Sequence, residues 1–193
     1  MRKPFAAMIV LMCCLLATGT VRAISFEPRD FATLAREADQ VTIGTVTAIN
    51  SRRTGEREIV TDFRFDQLEI VKGTLPTGSL TLTMLGGTVG AEALTVAGAP
   101  RFQLGARYLV FVSGNGSVMF PLVGGQQGIF QMRRDAATGV SRVHDYAGRP
   151  VIRLPGAAGK SAVDLVRVDS NESISEVEFV DAIRAQLITP GAE

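Results

Sequence analysis

The residues with a claim to chemistry are few, and their spacing limits what they can do. His144 is the single histidine among 193 residues, and Asp145 follows it directly. Adjacency in sequence does not orient an imidazole as a hydrolase triad does, and no G-x-S-x-G elbow is present to offer a serine. A catalytic zinc takes two or three His, Cys or carboxylate ligands, which one histidine does not supply. His144 therefore reads as an exposed hairpin residue. Asp62, Asp66 and Glu69 are the alternative, a carboxylate-only site on one strand. Asp62 and Asp66 share a strand phase and stand roughly 13 Å apart at ~3.3 Å per residue, too far for a glycosidase pair. The absence of Trp removes the usual sugar platform.

Two glycine segments are more distinctive. Gly86-Gly87-Thr88-Val89-Gly90 follows a strand, but a phosphate cradle needs a helix N-terminus after it, and Ala93 to Ala97 reads as another strand. The segment is either a tight hairpin exploiting glycine's freedom at positive φ or a loop that contacts a partner. In Gly124-Gly125-Gln126-Gln127-Gly128, the amides either bind a peptide or glycan or cap the backbone of a turn. Gly156 to Ser161 (GAAGKS) lacks the four-residue spacing of a P-loop, with Leu154 where the first glycine belongs, and reads as a linker. Arg52, Arg53 and Arg57 interleave with Glu56 and Glu58, a solvated hairpin tip.

The whole chain carries 20 Lys+Arg against 19 Asp+Glu. With no basic block it does not read as a nucleic-acid binder. Residues 1–23 read as a secretory signal peptide. Arg2 and Lys3 precede an apolar run from Phe5 to Ala17, and Val21-Arg22-Ala23 is a small-x-small end, placing cleavage between Ala23 and Ile24. The run is shorter than the ~20 residues that span a bilayer. Cleavage removes Arg2, Lys3, Arg22 and both cysteines, taking the formal charge from +1 to −2. The mature chain would then lack a thiol nucleophile, a thiolate metal site and a disulfide. It is expected to be periplasmic or secreted, with no transmembrane segment and no cofactor.

The elements that must position these residues are mainly strands. Phe31, Leu34, Ala35 and Ala38 mark a helical face within Pro28 to Asp39. Period-2 patterning follows for about 110 residues. Strands are predicted at Val41–Ile49, Ile59–Val71, Leu80–Met84, Ala93–Ala97, Tyr108–Val112, Val118–Val123 and Gly128–Arg133, with Ser51 to Glu58 as a hairpin loop. Phe63 and Phe65 lie in one phase, Leu68 and Ile70 in the other, which predicts a β-bulge near Asp66–Gln67. Tyr108–Val112 is apolar on both faces and should be central. Phe102, Phe111, Phe120 and Phe130 read as core. Val140–Val143 and Val151–Leu154 suggest an appended hairpin, and Pro155 to Gly159 a linker. Ser175 to Leu187 reads as a helix with alternative capping boxes, Ser173 with Glu176 or Ser175 with Glu178, and a buried stripe of Val177, Val180, Ile183 and Leu187.

The run ADQVTIGTVTAI, then LEIVKG, GGTVG and FQLGARYLVFV, resembles small exported OB-barrel domains of the netrin/TIMP-like kind. The matching elements are Ala38-Asp39, Val41 to Val46, Val71-Lys72-Gly73 and Gly105 to Phe111. The chain also looks like a group of uncharacterised exported bacterial proteins sharing GGTVG and a GGQQGIF segment. The resemblance spans roughly Phe31 to Met132 and implies a small antiparallel barrel. It departs from that family in having no cysteine after cleavage, whereas TIMPs chelate a protease zinc through an N-terminal Cys; here Ile24 would stand first.

The expectation is thus a mainly β chain: signal peptide 1–23, an OB-like barrel over 24–133 with a short N-terminal helix, and an appended hairpin, linker and C-terminal helix over 134–193 that pack on the same domain. Its expected role is an exported non-enzymatic binding module for a protein or cell-envelope partner. The candidate surface is a rim of Gly86, Gly87, Thr88, Gly90, Gly124, Gly125, Gln126, Gln127 and Gly128. Substituting these glycines is expected to abolish capture while leaving folding mostly intact. The alternatives are a periplasmic protease inhibitor or chaperone, and a carboxylate- or metal-dependent hydrolase.

Overall fold

A computed structural model describes residues 29–74, 78–152 and 173–188. The expected signal peptide, its Ala23–Ile24 junction and the 155–161 linker lie outside them. The chain begins with helix α1 (Phe31–Glu37), shorter than the expected Pro28 to Asp39. The Asp30 carboxylate accepts from the Thr33 amide at 2.6 Å and sets the start. At the other end Lys72 Nζ donates to the Ala35 and Arg36 carbonyls, closing the last turn. Asp39 is drawn away to accept from Ser113 Oγ and the Gly114 amide.

Six strands form one antiparallel sheet in the order β3-β2-β1-β6-β7-β8. They are β1 (Gln40–Arg53), β2 (Ile59–Lys72), β3 (Leu80–Leu85), β6 (Arg107–Val112), β7 (Ile129–Arg134) and β8 (Ser141–Asp145). Strands β4 (Gly87–Val89) and β5 (Glu92–Leu94) make a separate hairpin. The protein is mainly β, as expected, but no ladder among the described residues joins β3 to β8, so barrel closure is not seen.

The expected bulge is present. Ile43 faces Glu69 while Thr45 faces Asp66, so β2 carries an extra residue there, and Gln67 takes φ 53°, the positive value a bulge residue adopts. Two further register shifts, at Val41/Thr42 and Val46/Ala48, coil the β1–β2 pair. Plain alternation lets β1 serve both faces of the sheet. Val41 and Ile43 pack with α1 on one side, whereas Val46 packs with Phe63, Phe65, Leu82 and Met84 on the other. Strand β6 is buried on both faces between β1 and β7, as its sequence requires.

Several expectations need correction. Val118–Val123 is not a strand: only Leu122 bridges to Val112, and Val118 and Met119 are exposed. Pro121 has no N–H to continue a ladder, so pairing stops after Ser113 N to Pro121 O and Val123 N to Phe111 O. The expected hairpin is seen in part, His144 bridging to Pro150 across the turn, while β8 also pairs with β7 from Asp145 to Ser141 and so becomes the sixth strand. Beyond it, Val151 and Ile174 share hydrogen bonds with Val143, covering the outer edge.

Helix α2 (Glu176–Ile188) starts with the second of the two capping boxes. Ser175 Oγ accepts from the Glu178 amide at 3.2 Å, and the Glu178 carboxylate accepts from the Ser175 amide at 2.9 Å. Val180 and Ile183 are buried and Leu187 packs against the core, but Val177 is 69% exposed and Phe179 takes the inward position instead. Phe179 stands between Phe31 of α1 and Phe130 of β7, so both helices cover the same sheet face.

Candidate functional site

The first glycine segment is built into a groove wall. After β3, the Gly86 amide donates to the Ile59 carbonyl at 2.7 Å, and its own carbonyl accepts from Thr61 Oγ1 at 2.7 Å. Thr61 Oγ1 also lies 2.9 Å from Ser51 Oγ, so the two hydroxyls form a short chain under the hairpin. Gly87 sits directly over that chain at φ 142°, and a Cβ there would collide with both hydroxyls. Only glycine fits this close approach. Gly90 makes the two-residue turn between Val89 and Glu92 at φ 60°, in open space. Arg53 ion-pairs with Glu92 and ties the hairpin back to the end of β1.

Opposite the hairpin runs the loop 95–103. The two walls enclose a groove of about 360 Å³ whose floor is Phe63, Met84 and Phe102 and whose edges include Ile49, Thr88 and Arg101. Phe102 was legible only as a core residue. A lone aromatic after Pro100 in a polar stretch is the signal that could have marked it as the ring closing a loop over the sheet.

The second segment is a 3-10 turn, Gly125–Gly128. Its amides serve the backbone of other segments: Gln127 Oε1 accepts from the Arg29 amide at 2.9 Å, and Gln126 Nε2 donates to the Gly98 carbonyl at 3.1 Å. Gly124 and Gly125 have positive φ, and a Cβ on Gly128 would strike the Val123 carbonyl. The two glycine segments thus meet the 95–103 loop separately, Gly86 beside Val96 and Gln126 at Gly98, and only the first lines the groove. Of the glycines expected to tolerate substitution, Gly90 has both open space and a turn position, whereas Gly86, Gly87, Gly124 and Gly128 are held by neighbours.

His144 is not an exposed hairpin residue. It lies half-buried on β8, opposite Gln131, with Nδ1 3.3 Å from the Arg142 carbonyl. Burial, followed by the nearby Arg133 charge, pushes its pKa below the usual histidine value. Asp145 does not orient it, because that carboxylate accepts from the Arg149 amide at 2.8 Å and from Arg149 Nε at 2.7 Å.

The acids of β2 are dispersed among separate partners. Asp62 accepts from Arg52 Nε and from Thr83 Oγ1, each at 2.7 Å, and the arginine bond leads in holding its carboxyl below the ordinary range. Asp66 is held down likewise, first by Thr47 and then by Arg64. Glu69 faces Arg184 at 3.5 Å and Arg107 at 3.9 Å. No group of three or more His, Cys, Asp or Glu among the described residues is arranged to hold a metal. No helix among them is long and apolar enough to cross a membrane.

Comparison with known protein families, with curated proteins and with solved structures gave no match.

Proposed function

We propose that the chain is an exported, non-enzymatic binding module that holds a segment of a protein or cell-envelope partner in the groove between the β4–β5 hairpin and the 95–103 loop. The observation that carries this reading is the groove's composition. Its floor is apolar, and its hydroxyls, the half-buried Ser51 and the buried Thr61, are committed to each other and to the Gly86 carbonyl. Such a surface offers shape and apolar area to a partner and keeps no nucleophile–base pair poised for attack. The sheet is read as an OB-like barrel, supported by the bulged β1–β2 pair and by one apolar cluster that draws residues from β3 through β7. In barrels of that kind, loops and one sheet face do the binding.

Capture from the envelope fraction of the exporting cell tests the reading. The wild-type chain should retain one discrete partner. Thr88→Arg and Ile49→Glu, both at solvent-accessible groove edges, should weaken that capture by about tenfold or more while the melting curve is unchanged. Undiminished capture by both variants rules out the groove. Mass spectrometry of the exported product checks the compartment, and its N-terminus should be Ile24.

A further inference from the structure

We propose that a second pocket, beside the groove and independent of the groove reading, binds a small oxyanion bearing two or more acidic oxygens, phosphoryl or dicarboxylate. It encloses about 290 Å³, and its lining includes Arg101, Arg133, Tyr108, Tyr146, Gln103 and Gln131, with no carboxylate among the lining residues. Most described arginines spend their charge on a neighbouring acid, as Arg52 does on Asp62, Arg64 on Asp66 and Arg149 on Asp145. Arg101 and Arg133 make no such ion pair with a described residue. The nearest acid on β8, Asp145, is already taken by Arg149.

The phenols add donors of the matching kind. Tyr108 Oη accepts the Gln103 amide at 3.2 Å, and Tyr146 Oη accepts the Arg101 amide at 3.0 Å. Each hydroxyl is fixed through its oxygen and keeps its own proton to donate. Arg133 is steadied by its Nε bond to Gln131 Oε1 at 2.8 Å, which leaves its terminal nitrogens as a fork. Two guanidinium groups and two phenolic O–H groups around one pocket suit a ligand that accepts at several oxygens, and arginine's planar fork matches carboxylate and phosphate alike. Phe102 and Arg101 line both this pocket and the groove, so the two share a wall.

His144 is a built-in reporter, being the one imidazole in the chain. It stands across the ladder from Gln131, and the charged groups around it are Arg133, Arg142 and Asp145. Titrating the purified chain with inorganic phosphate and, separately, with malonate should move its ring resonances saturably and raise its pKa, because a bound anion offsets the Arg133 charge. Sodium chloride at equal ionic strength should not. Saturation by phosphate alone assigns a phosphoryl ligand, by malonate alone a dicarboxylate, and by both the shared oxyanion chemistry. Arg133→Gln and Arg101→Gln should each weaken binding about tenfold or more, while Arg57→Gln at the distant hairpin tip should not. The proposal falls if neither anion gives a saturable shift beyond the chloride control. It falls equally if both arginine variants keep the wild-type melting curve and bind undiminished.

Discussion

The ring of Phe102 meets Phe65 edge-on, with centroids 5.1 Å apart and planes at 85°, so a loop residue closes the sheet face that β2 supplies. The same ring stands 5.1 Å from Phe63 and 5.1 Å from Tyr108, in edge contact with each. It thereby joins β2 to β6 across β1, and one side chain holds the 95–103 loop in place. Phe102→Ala removes all three contacts and should cost about 3–5 kcal/mol in urea unfolding. A loss below about 1 kcal/mol would show that the cluster closes without the ring.

The hairpin glycines separate backbone need from open space. Gly87→Ala places a Cβ against the Ser51 and Thr61 hydroxyls at a φ that favours glycine. Strain and overpacking together should cost roughly 2–4 kcal/mol. Gly90→Asn meets no neighbour and keeps a residue that tolerates the left-handed turn, so its melting temperature should stay close to wild type. Equal destabilisation by the two would show that the hydroxyl pair does not hold the hairpin down.

What was legible in the sequence followed from patterns that a strand or helix fixes locally. The phase switch between Phe65 and Leu68 announced the Gln67 bulge, because period 2 leaves no other way to keep both ends of β2 in register. The Ser175–Glu178 box was legible for the same reason, being a local exchange of hydrogen bonds. Position across the sheet was not. Nothing local says that β8 pairs with β7 as a sixth strand, or that Gln126 reaches the Gly98 carbonyl. The Arg101–Arg133 pocket is assembled from a loop and from β7, segments far apart in the chain, so spacing along the sequence carried no sign of it.

Acid should loosen α1 through its cap. The Thr33 side chain first, and then the bond from the Thr33 amide, lowers the Asp30 pKa below the ordinary 3.8. A depressed folded-state value means that the stabilisation is complete above the unfolded pKa and is lost as pH falls through the folded one. Asp30→Asn keeps a capping oxygen without the charge. The stability difference between wild type and Asp30→Asn should therefore be largest near neutrality and shrink as the carboxylate range is crossed downward. A difference that grows in acid would contradict the cap assignment.

The rotational setting of α2 can be decided by two neighbouring side chains. Simple periodicity turns Val177 inward, but the Ser175–Glu178 box starts the helix so that Val177 faces out at 69% exposure and Phe179 is fully buried. The Phe179 ring lies 4.8 Å from Phe130 and 5.4 Å from Phe31, centroid to centroid, and so joins α2, β7 and α1 in one cluster. Phe179→Ala should cost about 3–5 kcal/mol, because the cavity opens where three elements meet and none can move in without leaving its own contacts. Val177→Ser trades an exposed β-branched residue for a polar one and should shift stability by no more than about 0.5 kcal/mol. Chemical denaturation of the two variants side by side checks the setting. A large loss from Val177→Ser with a small one from Phe179→Ala would mean that α2 is turned the other way, with its capping box displaced.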